Sequence, residues 1–321
     1  MSNNIQDKII NHLVAYYLLV EVFDKTFIDT TIATRIGKGT HLGLKITKKY
    51  INDMKRKYDD NFYYLKFDIK KYFYNIEHNN VKNMIRKKIK DKDAIKIIDN
   101  IIDSTDADYI NERIKKLKIN EINKIKESNL SIKEKQIRIE EVEKIPLCIK
   151  GKSAPIGSMC SQIIAVMYLD KLNHFIKEKL QIKHYILYMD DGVLFHENKE
   201  YLKECITLIR DFLKPLNLEL NESKTRVDSI KNSLAFLGFK FYILNNKVIM
   251  KVRNNTKKRF KKKIRKANQL YENNIIDYKE YKMILDSYLG HLSYGNCNNL
   301  MFKNISIRKE HVSLGENIYL D

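Results

Sequence analysis

The four residues Tyr188-Met189-Asp190-Asp191 lie between two runs with the composition of β-strands, Lys183 to Leu187 and Gly192 to Phe195. Strand, short turn and strand in that order predict a hairpin that aims two adjacent carboxylates out of its tip. The simplest alternative is local: Asp bonds its own backbone and Gly192 tolerates positive φ, so an isolated Asp-Asp-Gly is also ordinary turn chemistry. A third carboxylate shifts that balance. Asp68 closes another strand-like run, Phe62-Tyr63-Tyr64-Leu65-Lys66-Phe67. Hard cations such as Mg²⁺ are held by one or two carboxylates plus phosphate oxygens, and a pair of such ions clamps both oxygens of an in-line displacement at phosphorus. A strand-end Asp facing a hairpin-tip Asp pair is the minimal frame for that chemistry.

The rest of the chain sets bounds on where such a frame sits. With 321 residues, 44% of them hydrophobic, there is room for one large or two modest domains with a substantial core. Three Pro and ten Gly leave no long disordered linker. Cys148, Cys160, Cys205 and Cys297 have neither zinc-type pairing nor the spacing of a disulfide framework, which fits a reducing cytoplasmic setting. Leu13 to Val20 is too short to span a bilayer and reads as a buried helix face, so no membrane association is expected. Sixty Lys and Arg against 40 Asp and Glu give a formal charge of +20, the footprint of a protein that neutralises phosphate backbones, although a Lys-rich solvated surface accounts for part of it.

The motifs occur in an informative order. Phe67-Asp68-Ile69-Lys70-Lys71-Tyr72-Phe73-Tyr74-Asn75-Ile76 resembles motif A of reverse transcriptases, Pro155 to Gln162 resembles motif B, and Tyr188 to Asp191 resembles motif C. Leu218 to Thr225 is similar to motif D, and Phe236-Leu237-Gly238-Phe239 to the primer-grip motif E. Arg35-Ile36-Gly37-Lys38-Gly39-Thr40-His41 resembles a fingers motif of bacterial members. The resemblance implies an α+β right-hand polymerase with a palm sheet, truncated helical fingers and a short helical thumb. The expected division is 1–60 fingers, 61–107 first part of the palm, 108–149 a charged helical insertion, 150–252 second part of the palm and 253–321 thumb. Within the insertion, Asp108 to Lys144 is dense in Lys, Glu and Ile and suits a helical hairpin, either a solvent-facing spacer or a contact surface. Helices are also expected over Asn79 to Ile89 and Lys92 to Asp103, and strands around Phe236 to Tyr242 and Lys247 to Val252.

Site roles follow from the same resemblance. Asp68 and Asp190 are expected to bridge two Mg²⁺ ions, for which Mn²⁺ is a substitute. Asp191 is a further ligand or an orienting group, and the Ile69 carbonyl an additional oxygen, with the Ile69 side chain left to the core. Phe73 occupies the position of the aromatic gate that clashes with a 2′-hydroxyl, which argues against an RNA-dependent RNA polymerase. Gly157 lets backbone approach the nascent base pair. Ile156 and Gln162 depart from the Gln and Pro of retroviral and group II intron enzymes, a combination similar to diversity-generating retroelement and defence-associated bacterial reverse transcriptases. Lys224 resembles the motif D lysine that protonates pyrophosphate, or is a surface lysine. Arg35 and Lys38, with His41, are candidates for template or triphosphate. Lys257, Lys258, Arg259, Lys261, Lys262 and Arg265 share a helix with apolar residues four apart, read as a thumb helix with its basic face toward nucleic acid.

One departure bears on mechanism. The chain starts at a segment, Gln6 to His12, that bacterial relatives precede with a strand pair carrying a Lys-x-Arg triphosphate clamp. Arg35, Lys38, a partner protomer or a bound RNA is then expected to supply that charge, and short or protein-primed synthesis comes into view. The readings carried forward are an RNA-directed DNA polymerase of bacterial type in anti-phage defence, a diversity-generating retroelement enzyme, template-independent or protein-primed DNA synthesis, and a non-catalytic RNA-binding scaffold. The implied partners are an RNA template (a non-coding RNA), a DNA or RNA primer, dNTPs, and a second copy or accessory protein.

Overall fold

The computed structural model describes residues 4–106, 108–154, 157–298 and 300, which form two compact units, residues 1–40 with 63–227 and residues 41–62 with 228–321. The first unit is built on a four-stranded sheet in the order β2-β3-β1-β4, with β1 Tyr63–Asp68, β2 His184–Tyr188, β3 Asp191–His196 and β4 Arg226–Ser229, whose first two residues belong to this unit. β2 and β3 are antiparallel, as are β3 and β1. The continuous apolar runs Tyr185-Ile186-Leu187 and Val193-Leu194-Phe195 are buried throughout, because the sheet is covered on both faces. One cover is the helix Lys199–Leu213, whose Leu202, Cys205, Ile209 and Leu213 recur at helical spacing and are all buried. A second buried element is the helix Met159–Tyr168, of which only Met159 and Gln162 escape full burial.

Several expected boundaries hold closely. The helix Lys92–Asp103 begins at Asp91, whose side chain accepts from the Ala94 N–H. The segment 108–144 is a helical hairpin, Asp108–Glu127 and Ile132–Glu143, the latter opened by a Ser131/Glu134 capping box. Ile125 is its one buried residue among those described, and Asn111 ties its two ends through Nδ2 to the Cys148 carbonyl (2.9 Å) and Oδ1 to the Cys148 N–H (2.8 Å).

Two expectations need correction. Leu13 to Val20 buries only Val14, Ala15 and Leu19, while Leu13, Tyr16 and Tyr17 face solvent; this stretch is a π-helix following the helix Ile5–Leu13, and its wider turn leaves one narrow buried row. The strand expected over Phe236 to Tyr242 is instead a hairpin in the second unit, β5 Leu234–Phe236 and β6 Phe239–Leu244, with β7 Lys247–Val252 completing the sheet β5-β6-β7. Leu237 and Gly238 both have positive φ (47° and 84°), as do Asn245 and Asn246 (47° and 61°). Each pair makes the two-residue turn whose twist matches its flanking strands. The same unit contains the helices Thr40–Tyr58, from His41 on, Asn254–Glu272 and Tyr278–Leu292. Among the described residues no helix is long and apolar enough to cross a membrane.

Gly192 illustrates how packing replaced a turn rule. It lies in β3 opposite Phe67, and a Cβ added there would fall 2.3 Å and 2.4 Å from atoms of the buried Phe67 ring. The residue is glycine for space, and the positive φ of the turn falls on Met189 (55°). Gly192→Ala is therefore expected to lower unfolding stability by about 1–3 kcal/mol through overpacking. Chemical denaturation checks this; an unchanged midpoint would contradict the close packing.

Candidate active site

Strand register brings the acidic residues together. Asp68 and Asp191 are directly opposed across β1 and β3, and the Ile69 N–H donates to the Asp190 carbonyl at 3.2 Å. Directly opposed residues project to the same face, so two carboxylates share one side of the sheet end, with Asp190 on the adjoining turn. Ile69 itself is buried, as expected for its side chain. A third strand-like segment closes the other side: Ile69 bridges Leu220, the Lys70 N–H donates to the Glu219 carbonyl (2.8 Å), and the Asn221 N–H donates to the Asp68 carbonyl (2.7 Å).

Two lysines neutralise the carboxylates. Lys224 Nζ lies 3.1 Å and 2.9 Å from the two Asp68 carboxylate oxygens, and Asn221 Nδ2 donates to Asp68 Oδ1 at 3.0 Å. Lys66 Nζ pairs with Asp191 Oδ2 at 3.0 Å. Asp191 Oδ1 is buried and has no hydrogen-bond partner. Burial pushes the Asp191 carboxyl up to about 6 against the pull of Lys66. Burial also raises Asp190, with Asp68 adding to the rise and Lys224 and Lys66 opposing it. Asp68 and Asp191 are thus each paired with a lysine of their own.

Residues 2–241 match the family described as reverse transcriptase (RNA-dependent DNA polymerase). The chain belongs to the reverse transcriptase family. No curated protein sequence matches it. Its mixed helix-and-sheet fold is similar to apo telomerase from Candida tropicalis (15% identity over 94% of this chain and 52% of that one, TM-score 0.45). It is also similar to telomerase from Candida albicans in complex with a TWJ fragment of telomeric RNA (11% identity, 95% and 50% coverage, TM-score 0.43). The chain spans about half the length of the telomerase structures it matches.

A hard dication fits the donor set of this reverse transcriptase chain. Every donor is a carboxylate oxygen, and the unpartnered Asp191 Oδ1 is the acceptor such an ion satisfies. Asp68, Asp190 and Asp191 would hold it, with Lys224 moving aside and Lys66 remaining on Asp191 Oδ2.

The other expected site residues lie as follows. Phe73 is half-buried beside Tyr72 (ring centroids 5.6 Å apart), and its carbonyl accepts from the Ala154 N–H at 2.8 Å, which ties motif A to the approach to motif B. Ile156 lies outside the described residues. Gly157 has φ +99°, a conformation glycine tolerates, and Gln162 is half-buried in the first turn of its helix. Lys257, Lys258, Arg259, Lys261, Lys262 and Arg265 are all exposed on the helix Asn254–Glu272, opposite its buried Phe260, Ile264, Ala267 and Tyr271.

Arg35 and Lys38 are committed elsewhere than expected. The Arg35 side chain is 7% exposed, with Nε at 2.6 Å from Asp24 Oδ1 and its other nitrogens on Asp24 and the Ile28 and Thr31 carbonyls. Lys38 Nζ bonds the carbonyl and carboxylate of Asp29. Both fasten the 24–38 loop, so neither offers the open charge expected of a triphosphate clamp. Lys66 and Asn221 were missed in the sequence; the one available signal was a Lys two residues before Asp68 on the same face of its strand.

The raised Asp191 carboxyl has a definite consequence. A carboxylate whose folded value exceeds its unfolded value of about 3.9 contributes stability at low pH that is lost as pH rises from about 4 to 6. The metal-free protein should lose this contribution over that window, and Mg²⁺ should stabilise it more at pH 7.5 than at pH 5, where a proton competes for the carboxylate. Thermal midpoints with and without Mg²⁺ at both pH values check this; equal Mg²⁺ shifts would contradict it.

Proposed function

We propose that the chain is an RNA-directed DNA polymerase working by two-metal nucleotidyl transfer, with Asp68, Asp190 and Asp191 as the metal-holding carboxylates. The observation that carries this reading is the register that sets Asp68 opposite Asp191 with one Asp191 oxygen buried and unpartnered. Two Mg²⁺ ions, when bound, would lower the pKa of a primer 3′-hydroxyl and neutralise the charge of triphosphate and departing pyrophosphate. Asn221, bonded to both the backbone and the side chain of Asp68, orients that carboxylate. Lys224, 59% exposed at its side chain, has the freedom to leave Asp68 and donate a proton to the leaving group. Phe73 is assigned the sugar gate, Ile156, Gly157 and Gln162 the nucleotide's surroundings, and the basic row from Lys257 to Arg265 the nucleic-acid backbone. The division into fingers, palm, insertion and thumb stands as part of this proposal.

The motif B residues Ile156 and Gln162, similar to those of both diversity-generating retroelement and defence-associated enzymes, support a bacterial enzyme; the first reading is the defence-associated type, making DNA on a non-coding RNA in the cytoplasm. The exposed apolar residues Ile9, Leu13, Tyr16 and Tyr17 suit a second copy or an accessory protein. Sequencing the nucleic acid that copurifies with the protein separates these roles: one fixed RNA supports the defence reading, and copies of a variable-repeat target gene support a diversity-generating enzyme.

Asp190→Asn should abolish nucleotide incorporation and leave RNA binding within about threefold, since phosphate contacts come from Lys and Arg. Primer extension and filter binding on the same preparation measure both; retained incorporation would remove the metal assignment. Phe73→Ala should admit ribonucleotides, read as at least a tenfold rise in their incorporation relative to dNTPs. Reactions with each single dNTP distinguish templated copying, which needs the complement, from template-free extension.

A further inference from the structure

A second cluster of metal-capable side chains lies apart from the aspartate triad. His78 opens the helix His78–Lys88 and its side chain is 3% exposed. Its Nε2 is 2.8 Å from the Ser153 carbonyl, which can only accept, so Nε2 carries the ring proton; Thr105 Oγ1 is 3.2 Å away. In that tautomer an unprotonated Nδ1 presents a lone pair. That atom is buried without a hydrogen-bond partner and faces Asp103 Oδ1 at 3.4 Å and Asp106 Oδ2 at 3.5 Å.

A lone pair aimed at two carboxylates is repulsive unless a proton or a metal ion intervenes. A charged N–H···O bond measures about 2.7–2.9 Å, well short of the separations here. Four-coordinate zinc, with bonds of roughly 2.0–2.2 Å, sets neighbouring ligands about 1.63 bond lengths apart, roughly 3.3–3.6 Å. Octahedral Mg²⁺, with bonds of about 2.0–2.1 Å, would set them about 2.8–3.0 Å apart. Both separations from Nδ1 fall in the tetrahedral range, the imidazole donor favours the zinc class over a larger, oxygen-seeking cation, and all three ligand atoms lie within 4.8 Å of one another.

We propose that His78 Nδ1, Asp103 Oδ1 and Asp106 Oδ2 form a binding site for a divalent cation of the zinc class, with its fourth position open to water. The supporting contacts are those of a prepared ligand set. The Ser153 carbonyl fixes the histidine tautomer, and the Gly151 N–H donates to Asp106 Oδ1 at 2.7 Å, leaving Oδ2 for the metal. Lys82 Nζ now bonds both Asp103 oxygens, at 2.7 Å and 2.6 Å, and on metal binding keeps Oδ2 alone. Two carboxylates and a neutral imidazole balance the charge of a dication.

The site's position gives it a structural task. Asp103 and Asp106 precede the helical hairpin that starts at Asp108, and Gly151 and Ser153 follow it. His78 lies just beyond motif A, and its backbone N–H donates to the Gly151 carbonyl at 2.9 Å. A metal here clips the base of the hairpin to the segment leading into Gly157, closing a long loop.

The test uses the full chain carrying Asp68→Asn, so that zinc in the polymerase centre does not obscure the count. After chelator treatment and dialysis, titration with Zn²⁺ should show one tight equivalent by calorimetry and raise the thermal midpoint. Co²⁺ should give the intense visible absorption of four-coordinate cobalt. Adding Asp106→Asn, which retains Oδ1 for the Gly151 bond, or Asp103→Asn should weaken Zn²⁺ binding at least tenfold; both are chosen because replacing the buried His78 risks unfolding. Absence of a tight equivalent, or unchanged affinity in both double variants, overturns the site. So does an NMR spectrum at neutral pH with Zn²⁺ in which both His78 ring nitrogens carry protons, which would make the cluster a buried ion pair. None of these outcomes depends on nucleotide incorporation, so the polymerase proposal stands or falls separately.

Discussion

Everything at the sheet end depends on the register between β1 and β3. Because Asp68 pairs with Asp191 and Phe67 with Gly192, one slipped residue would turn the carboxylates to the opposite face and drive the Phe67 ring into a side chain. The buried runs flanking both positions make that slip expensive, since every strand interior would change faces. Hydrophobic burial thus holds together groups that repel. An unpartnered buried oxygen such as Asp191 Oδ1 costs about 1–3 kcal/mol, a cost that the proposed cation would offset.

The two lysines explain how the arrangement survives without metal. Lys66 is held within the strand that carries Asp68, whereas Lys224 reaches Asp68 from 156 residues away. They differ in freedom: the Lys66 side chain is 17% exposed and the Lys224 side chain 59%. Lys66 is thereby suited to a fixed electrostatic role, and Lys224 to one that requires movement. The segment carrying Lys224 is not itself loose, because Lys70, Ile69 and Asp68 all hydrogen-bond or bridge to residues 219–221.

The helical hairpin 108–144 is attached differently. Its helices bury almost nothing of their own, so its orientation relies on its base, where Asn111 bonds Cys148 and Asp106 bonds Gly151. The His78 cluster sits at that base. The proposed zinc-class site would add a further tie at that base, beside Gly151 and Ser153.

The sequence by itself determined what local chemistry can encode. The apolar runs of β2 and β3, the charged helical hairpin over 108–144 and the basic stripe around Phe260 and Ile264 are periodic or short-range signals, and they are legible without a partner. The three aspartates were legible because hairpin and strand end are local too. Tertiary structure alone decided the rest. Whether Arg35 is free or fastened to Asp24, whether Gly192 serves a turn or makes room for Phe67, which lysine meets which carboxylate, and whether His78 Nδ1 faces protein or acid all depend on residues brought together by folding. Side-chain identity fixes what a group can bond; only the packed chain fixes which atom is within 3 to 4 Å to bond it.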